Sequence, residues 1–413
     1  MGIVQPTRRS LLQLMAGFPA VAAASAGNAE RGGALVASRE LGLARGLIHL
    51  NTASAGPTPN AVLQRVVVAW QEIETDPVRM SYAPDPDSVV TAADRVRGKA
   101  AALVACTPDE ILLTHGTTAG ITIVAQSIRL KDGDHVLLTD QEHEGGETAW
   151  LHRQRRDGIV VDRVNIPIGD CDTAAILRRF ENGIGPRTRV ICVSHVLSPT
   201  GLRMPIAEIA ALARRKGALC VVDGAQAVGG IAVDVKTLGC DAYASSGHKW
   251  LMGPKGTGFL YISKDAGDAI SPPEWLMGKR YGCNSQGLSP MVLAIGLGEA
   301  IDRMMAIGMP RVEQHNLALA GRIHAAFAHM AALEIVSPPP GPSATALVAA
   351  RLPDAMDSRS LRERMRMRHG ISIKMAEKRW FNGIRLSPHI FNDEAQVDKA
   401  LAALASELKD IQI

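Results

Sequence analysis

The chain has 413 residues, of which 46% are hydrophobic and 21% charged, and this balance excludes a largely disordered protein. Its 45 Lys and Arg against 41 Asp and Glu residues leave a net charge of +4, and no basic run is interleaved with aromatic residues, so the sequence offers no nucleic-acid surface. Composition also excludes collagen, a coiled coil and a multi-span membrane protein. A large α/β enzyme or binding protein of two or three domains remains.

The N-terminus has the features of an export signal. Arg8 and Arg9 precede an apolar stretch over 14–24, and small residues follow at 24–26. This order is typical of a secretory signal peptide, and the apolar stretch is too short to span a bilayer. The paired arginines are similar to those of twin-arginine signals, which export folded proteins. We predict such a signal over residues 1–26 and a periplasmic or secreted protein without a membrane anchor. The alternatives are a Sec signal or a cytoplasmic chain with a chance basic start.

The six cysteines show neither a CxxC pair nor a zinc-like spacing. Cys192 and Cys220 lie inside apolar, strand-like runs and are predicted to be small buried hydrophobes. We therefore predict neither a metal site nor a disulfide framework. This agrees with folding in a reducing cytoplasm before export.

Helical and strand patterns alternate from residue 61 onward. Apolar spacing predicts helices over 61–73, 88–105, 117–128, 173–180 and 206–215. Short β-branched runs predict strands over 111–114, 135–138, 159–164, 190–193, 219–222 and 256–262. Apolar strands separated by helices indicate a parallel sheet covered on both faces.

The pattern changes after Leu288. Helices are predicted over 291–307 and 312–332, a Pro-rich turn follows at 338–342, and shorter strands and helices fill the rest. This indicates a smaller α+β domain. The predicted organisation is a signal peptide over 1–26, an N-terminal arm over 27–60, a large domain over 61–290 and a small C-terminal domain over 291–413.

Two residues at the ends of apolar segments carry the chemistry. Asp223 follows the run 219–222, so its carboxylate lies at the C-terminal end of a buried strand, where open α/β sheets bind ligands. Lys249 follows the apolar segment 241–244 and precedes the Gly-rich segment 253–258. Alone, such an Asp is more often a helix cap and such a Lys a surface residue. Together, a lysine that can form a Schiff base and a carboxylate that can hold a pyridinium nitrogen are what pyridoxal phosphate (PLP) requires.

These segments resemble the class V aminotransferase family of fold-type I PLP enzymes. The resemblance extends from about residue 50 to the C-terminus and is strongest at 194–201, 223–226 and 245–258. The nearest branch is isopenicillin N epimerase-like. The resemblance implies a large, doubly wound, mixed or parallel sheet domain, a smaller α+β domain and a homodimer with the active site at the subunit interface.

The resemblance also implies the cofactor contacts. Lys249 would bind PLP covalently and then act as the base at Cα, Asp223 would keep the ring nitrogen protonated, and Gln226 would bond the phenolic oxygen. His143 would stack on the ring, the alternative being an ordinary histidine of a surface loop. The phosphate would be bound at a helix start and just before the lysine, by Thr117, Thr118, Ser246 and His248.

On the substrate side, Arg385 matches the family's residue that binds the substrate carboxylate through two parallel hydrogen bonds. A surface salt bridge is the alternative. Asn51 and Ala53 align with the family's N-terminal substrate-side loop.

Two positions depart from the family pattern. Cysteine desulfurases carry a nucleophilic Cys on the loop that here spans 372–379 without a cysteine, so persulfide chemistry of that type is not expected. Asn284, or the adjacent Cys283, stands where the family often has the Thr that reaches the phosphate bound by the partner subunit. Asn retains a hydrogen-bond donor there, and Cys is a weak one.

The sequence therefore predicts a PLP-dependent transferase, epimerase or lyase that acts at Cα of an amino acid or of an amino-acid-containing natural product. Transamination needs only Lys249 to move the proton, whereas epimerisation needs a second acid that the sequence does not identify. A C–S β-lyase is the alternative, and a non-catalytic PLP-fold binding protein is the contrasting class.

Overall fold

The computed structural model describes residues 32–83, 85–272 and 290–409, and the structural statements below concern these ranges. The predicted signal peptide over 1–26, Cys283 and Asn284 lie outside them. The elements in chain order are β1 Ile48–His49, α1 Asn60–Thr75, α2 Pro77–Tyr82, α3 Val89–Leu103, β2 Ile111–Thr114, α4 Thr117–Ser127, β3 His135–Thr139, α5 Glu144–Asp157, β4 Val160–Val164, α6 Thr173–Gly183, β5 Thr188–Ser194, α7 Ile206–Arg215, β6 Leu219–Asp223, α8 Val235–Leu238, β7 Ala242–Ser246, β8 Gly258–Ile262, α9 Met291–Ile307, α10 Met309–Ala328, β9 Glu334–Ile335, β10 Val348–Arg351, α11 Ser358–His369, β11 Ile371–Ser372, β12 Lys374–Met375, β13 Gly383–Leu386 and α12 Glu394–Lys409.

The large sheet has seven strands within the described ranges, in the order β2-β8-β7-β6-β5-β3-β4. The pairs within β7-β6-β5-β3-β4 are parallel, and β8 runs antiparallel to both β2 and β7. The loop 247–257 explains this reversal, because a parallel return needs a crossover of a dozen or more residues. The sheet is therefore mixed. The predicted strand 256–262, which is β8, is the one that does not follow the expected parallel arrangement.

The central strands are buried on both faces, as their continuous apolar runs predict. Cys192 in β5 and Cys220 in β6 are each 1% exposed, which confirms that both are small core residues. Apolar side chains of α4 and α5 cover one face, and those of α6 and α7 cover the other. This doubly covered sheet confirms the predicted α/β class.

The C-terminal part has its own sheet, in the order β12-β13-β10-β9, with every pair antiparallel. Helices α10, α11 and α12 pack on it around a separate apolar core. The N-terminal segment joins this core, because β1 pairs with β11 in register Ile48↔Ile371 and Leu50 is fully buried there. The structure thus has the expected smaller C-terminal domain beside the large sheet.

Helix α9 has the predicted limits of 291–307, and it packs against α1 and α3 through residues such as Met291 and Ile295. The proposed domain limits at 61, 290 and 291 stay predictions. In the described part of the chain, no helix combines the length and apolar character needed to cross a membrane.

Candidate active site

The predicted site residues meet in one cavity of about 340 Å³ at the C-terminal ends of β5, β6 and β7. This is the edge at which open α/β sheets bind their ligands. The predicted residues that line the cavity are Ala53, Thr117, Thr118, His143, Asp223, Gln226, Ser246, His248, Lys249 and Arg385.

One predicted residue, Asn51, does not line the cavity, and another, Asn284, is not among the described residues. Asn51, two residues before Ala53 of the cavity wall, forms an isolated β-bridge with Ser387. Its Oδ1 is buried without a hydrogen-bond partner among the described residues. A direct role for either residue stays a prediction.

Lys249 and Asp223 form the chemical centre of the cavity. Burial lowers the pKa of the Lys249 amine to about 8; the Asp223 carboxylate opposes this shift, and Arg385 adds to it. A lysine with this pKa has a substantial neutral fraction near neutral pH, and the neutral amine is the nucleophilic form. Gly56 packs against this lysine, since its N–H donates to the carbonyl of His248 at 2.8 Å and an added Cβ would stand 2.1 Å from the Lys249 carbonyl oxygen.

The Asp223 carboxylate has one bonded oxygen and one open oxygen. Oδ1 accepts the Ala225 N–H at 2.9 Å, whereas Oδ2 accepts no hydrogen bond from the described residues. Burial raises the pKa of Asp223, and the Ala225 N–H, Lys249 and His143 partly offset this. A Cβ on Gly146 would lie 3.0 Å from Oδ2, so the glycine leaves this oxygen accessible. A buried carboxylate with an unused lone pair suits a protonated ring nitrogen.

The start of α4 and the end of β7 form an anion cradle. The Ser246 hydroxyl accepts the Thr117 N–H at 3.0 Å and lies 2.9 Å from the Thr117 hydroxyl. Gly116 is the N-cap of this helix and has φ 144°, a backbone conformation that glycine adopts far more readily than other residues. Burial lowers the pKa of His248 to about 4, so at neutral pH its ring is an uncharged hydrogen-bonding group. Helix N–H groups and hydroxyls are the donors that bind phosphate.

His143 lines the cavity and is the N-cap of α5. Its Nδ1 accepts the Gly145 N–H at 3.0 Å, which leaves the proton on Nε2 in the neutral ring. Burial and the nearby Lys249 lower the pKa of His143, while Asp223 opposes them. The side chain thus caps a helix and lines the cavity, and its role against a cofactor ring stays a prediction.

Gln226 is held on both sides. Its Nε2 donates to the Ala53 carbonyl at 2.9 Å, and its Oε1 accepts the indole N–H of Trp250 at 2.9 Å. These bonds orient the amide and leave its second N–H available to a ligand.

Arg385 in β13 is buried, being 5% exposed. Its Nη1 donates to the Ser198 carbonyl at 2.7 Å and to the Ser198 hydroxyl at 2.9 Å, and its Nη2 donates to the Ser54 hydroxyl at 3.3 Å. Its Nε has no partner among the described residues, and burial lowers the pKa of the guanidinium to about 10. The alternative of a surface salt bridge is therefore wrong. An unpaired, buried guanidinium is suited to a ligand carboxylate.

Several residues that line the cavity were not predicted from the sequence. Ser54 and Ser198 anchor Arg385, and Lys374 lines the same wall. The stretch around Asn51 and Gly56 already carried a signal, because it aligned with the substrate-side loop. Lys374 carried none, since its direction depends on the register of a two-residue strand. In the described part of the chain, no group of three or more His, Cys, Asp or Glu side chains is arranged to hold a metal ion.

Comparison with known proteins identifies the family of the chain. The family model for aminotransferase class V matches residues 48–400. An isopenicillin N epimerase from Amycolatopsis lactamdurans is 30% identical over 390 residues, covering 89% of this chain and 97% of the epimerase. A probable cysteine desulfurase from Methanothermobacter thermautotrophicus is 30% identical over 320 residues, covering 73% of this chain and 77% of the desulfurase.

Solved structures share the fold. An apo cysteine desulfurase from Thermococcus onnurineus superposes with a TM-score of 0.78 at 24% identity, covering 90% of this chain and 97% of its own. A cystine C–S lyase in complex with cysteine persulfide gives a TM-score of 0.77 at 25% identity, covering 87% and 98%.

The chain belongs to the aminotransferase class V family and is a PLP-dependent enzyme of fold type I. The donor set fits this cofactor. Asp223 Oδ2 would accept the N–H of the ring nitrogen, the Thr117–Ser246 cradle would hold the phosphate, and Lys249 offers an amine of lowered pKa.

Proposed function

We propose that the enzyme acts at Cα of an amino acid, or of an amino-acid unit within a natural product, as an isopenicillin N epimerase-like member of its family. One observation carries this proposal: an amine of lowered pKa, Lys249, and a buried guanidinium, Arg385, that has no ion-pair partner among the described residues both line the same cavity. Binding a carboxylate at Arg385 would present the Cα–H bond of an amino acid toward Lys249. Such fixed orientation of the reacting groups is a large part of enzymatic rate enhancement.

The residues divide the work. When bound, PLP supplies an electron-accepting ring that stabilises negative charge at Cα. Asp223 keeps that ring's nitrogen protonated through its open Oδ2, and the buried surroundings strengthen this charge-assisted hydrogen bond. Lys249 takes the proton from Cα and returns it, because its pKa of about 8 lets the amine accept and donate protons near neutral pH.

The test is hydrogen exchange at Cα in deuterated water. Holoenzyme incubated with a panel of amino acids is expected to incorporate deuterium at Cα of its substrate, as followed by NMR and mass spectrometry. Lys249→Ala should abolish the exchange, and Lys378→Ala, outside the cavity on the same polypeptide segment as Lys374, should leave it unchanged. Loss of optical activity along with exchange would indicate epimerisation, and a new keto acid would indicate transamination. If no amino acid, either free or joined through its side chain to a larger molecule, exchanged its Cα hydrogen, the proposal would fail.

A C–S β-lyase is the second candidate, because one of the superposed structures is a cystine C–S lyase. Its products would be pyruvate, ammonia and a thiol or persulfide. From cystine or a thioether amino acid, lactate dehydrogenase coupling detects the pyruvate and a thiol assay detects the sulfur product. None of the described residues lining the cavity is a cysteine, so sulfur transfer to an enzyme cysteine has no support there. Release of pyruvate would favour this candidate over epimerisation.

We also propose that the protein is exported folded through its paired arginines and works as a homodimer in the periplasm or outside the cell. The Arg8–Arg9 pair before an apolar stretch supports export, and Arg8→Lys together with Arg9→Lys should retain the protein in the cytoplasm. Family membership supports the homodimer, which light scattering of the purified protein tests. A monomer that retains full activity would contradict an active site shared between subunits.

A further inference from the structure

A second cation faces the cavity beside Arg385. Lys374 of β12 lies directly opposite Arg385 of β13 in the antiparallel register, and both residues line the cavity wall. Residues in directly opposite positions share one face of a sheet, with their Cβ atoms about 4.5–5.5 Å apart. Two positive side chains are therefore placed side by side at the substrate end of the cavity.

Neither cation forms an ion pair with an acid among the described residues, although the charge of Glu377 acts on both. The Arg385 guanidinium donates only to serine oxygens, and the Lys374 side chain makes no hydrogen bond or ion pair with any described residue. The nearest acidic residue on the same loop is Glu377, and its Oε2 is taken by the Arg379 Nε at 3.0 Å. Like charges in opposite positions destabilise a sheet. Repulsion between the two cations thus destabilises the folded protein, and bound anions would reduce this repulsion.

The electrostatics of Lys374 agree with this picture. Partial burial lowers the pKa of its amine, and the charge of Arg385 lowers it further, while Glu377 opposes the shift. A carboxylate bound against Lys374 would raise this pKa again. Asp223, the other acid on the cavity wall, is a separate carboxylate at the end of β6.

We propose that Lys374 binds a second carboxylate of the substrate, so that the enzyme's substrate is an α-amino acid whose side chain carries a carboxylate, either at its own end or further along a larger molecule to which the side chain is joined. This inference rests on the proposed function, in which Arg385 binds the α-carboxylate. A competing arrangement has both cations on the single α-carboxylate, and the two arrangements predict different results.

The test uses two unreactive probes of equal chain length, glutarate and pentanoate, titrated into the holoenzyme by calorimetry. Glutarate carries two carboxylates and pentanoate carries one. The wild-type protein is expected to bind glutarate at least tenfold more tightly. Lys374→Met should remove this preference by weakening glutarate alone, Lys374→Arg should keep it, and the matched control Lys378→Met should behave as wild type.

Two outcomes would overturn the inference: Lys374→Met weakening both probes equally, which would place Lys374 on the α-carboxylate, or weakening neither. The corresponding activity readout compares Cα exchange of glutamate with that of norvaline, and Lys374→Met should lower kcat/KM for glutamate alone. Because the probes need no chemistry, an intact glutarate preference without any Cα exchange would reject the proposed function and leave the Lys374 subsite standing.

Discussion

The carboxylate of Glu142 lies against Ser194, whose hydroxyl it accepts at 2.5 Å and whose main-chain N–H it accepts at 3.1 Å. Thr139 adds a hydroxyl to the other oxygen at 2.7 Å. Glu142 directly precedes His143, and Ser194 pairs in register with Asp223. Glu142 is therefore a buried acid that hydrogen bonds hold close to two residues of the site, His143 and Asp223.

This acid makes stability depend on pH. Burial raises the pKa of Glu142 from 4.5 to about 7; the hydrogen bonds from Ser194 and Thr139 oppose the rise, and the charge of Asp223 adds to it. Between these two pKa values the folded state binds more protons than the unfolded state. The contribution of Glu142 is thus fully present below pH about 4.5 and is lost as pH rises through 7.

Glu142→Gln removes this titration. We expect the variant to gain stability relative to wild type between pH 5 and pH 8, by on the order of 1–3 kcal/mol. Urea denaturation of both proteins at several pH values measures the difference. A difference that stays constant over this range would show that Glu142 does not titrate there.

The reactivity of Lys249 should follow its lowered pKa. In the apoprotein, trace acetylation by acetic anhydride, measured by mass spectrometry of the Lys249 peptide, is expected to rise with a midpoint near pH 8. An ordinary lysine has its midpoint near 10.4. Asp223→Asn should move the midpoint lower, because the carboxylate stabilises the ammonium form. A midpoint above 10 would contradict the described burial.

Gly146→Ala should weaken PLP binding without unfolding the protein. The new methyl group would lie 3.0 Å from Asp223 Oδ2, against the oxygen that holds the ring nitrogen, so we expect at least a tenfold loss of affinity in equilibrium dialysis. Gly321→Ala is the matched control, since this helical glycine has nothing within 4 Å of an added Cβ. Equal affinities for PLP in wild type and Gly146→Ala would rule out this contact.

Gly224→Ala should destabilise the fold itself. The added Cβ would stand 2.0 Å from Cε1 of Tyr243, a fully buried ring whose hydroxyl lies 2.9 Å from Nδ1 of His195. We expect a loss of about 3 kcal/mol or more in the free energy of unfolding. Adding Tyr243→Leu should recover part of it, because the smaller side chain relieves the overlap. If the double variant were no more stable than Gly224→Ala, the overlap would not be the cause.

Local sequence patterns predicted the large sheet well, because buried strands read as continuous apolar runs whatever their neighbours are. Helix α5, Glu144–Asp157, was missed for the converse reason. It buries few apolar side chains, chiefly Ala149 and Trp150, and it begins with Gly145 and Gly146, so its sequence reads as a polar loop. Both glycines are needed at the site, where Thr118 and Asp223 approach the helix closely.

The site divides in the same way. Lys249 and Asp223 could be predicted because each follows a recognisable strand. Lys374 could not, because its position depends on which face of β12 meets β13, and a register shift of one residue would point it away from the cavity. A site residue can be predicted from sequence when a single strand or helix sets its position. It cannot when its position depends on how two strands pair.

The phosphate cradle also bears on the order of folding. Thr117 and Ser246 are 129 residues apart, and Gly258 at the start of β8 pairs with both Thr114 and Ser246. Insertion of β8 between β2 and β7 thus completes the sheet that carries both halves of the cradle. Long-range pairings of this kind form late, because closing the intervening loop costs conformational entropy before the new contacts can stabilise the chain. A nascent or truncated chain lacking β8 would have no competent phosphate site, so capture of the cofactor would mark completion of the sheet.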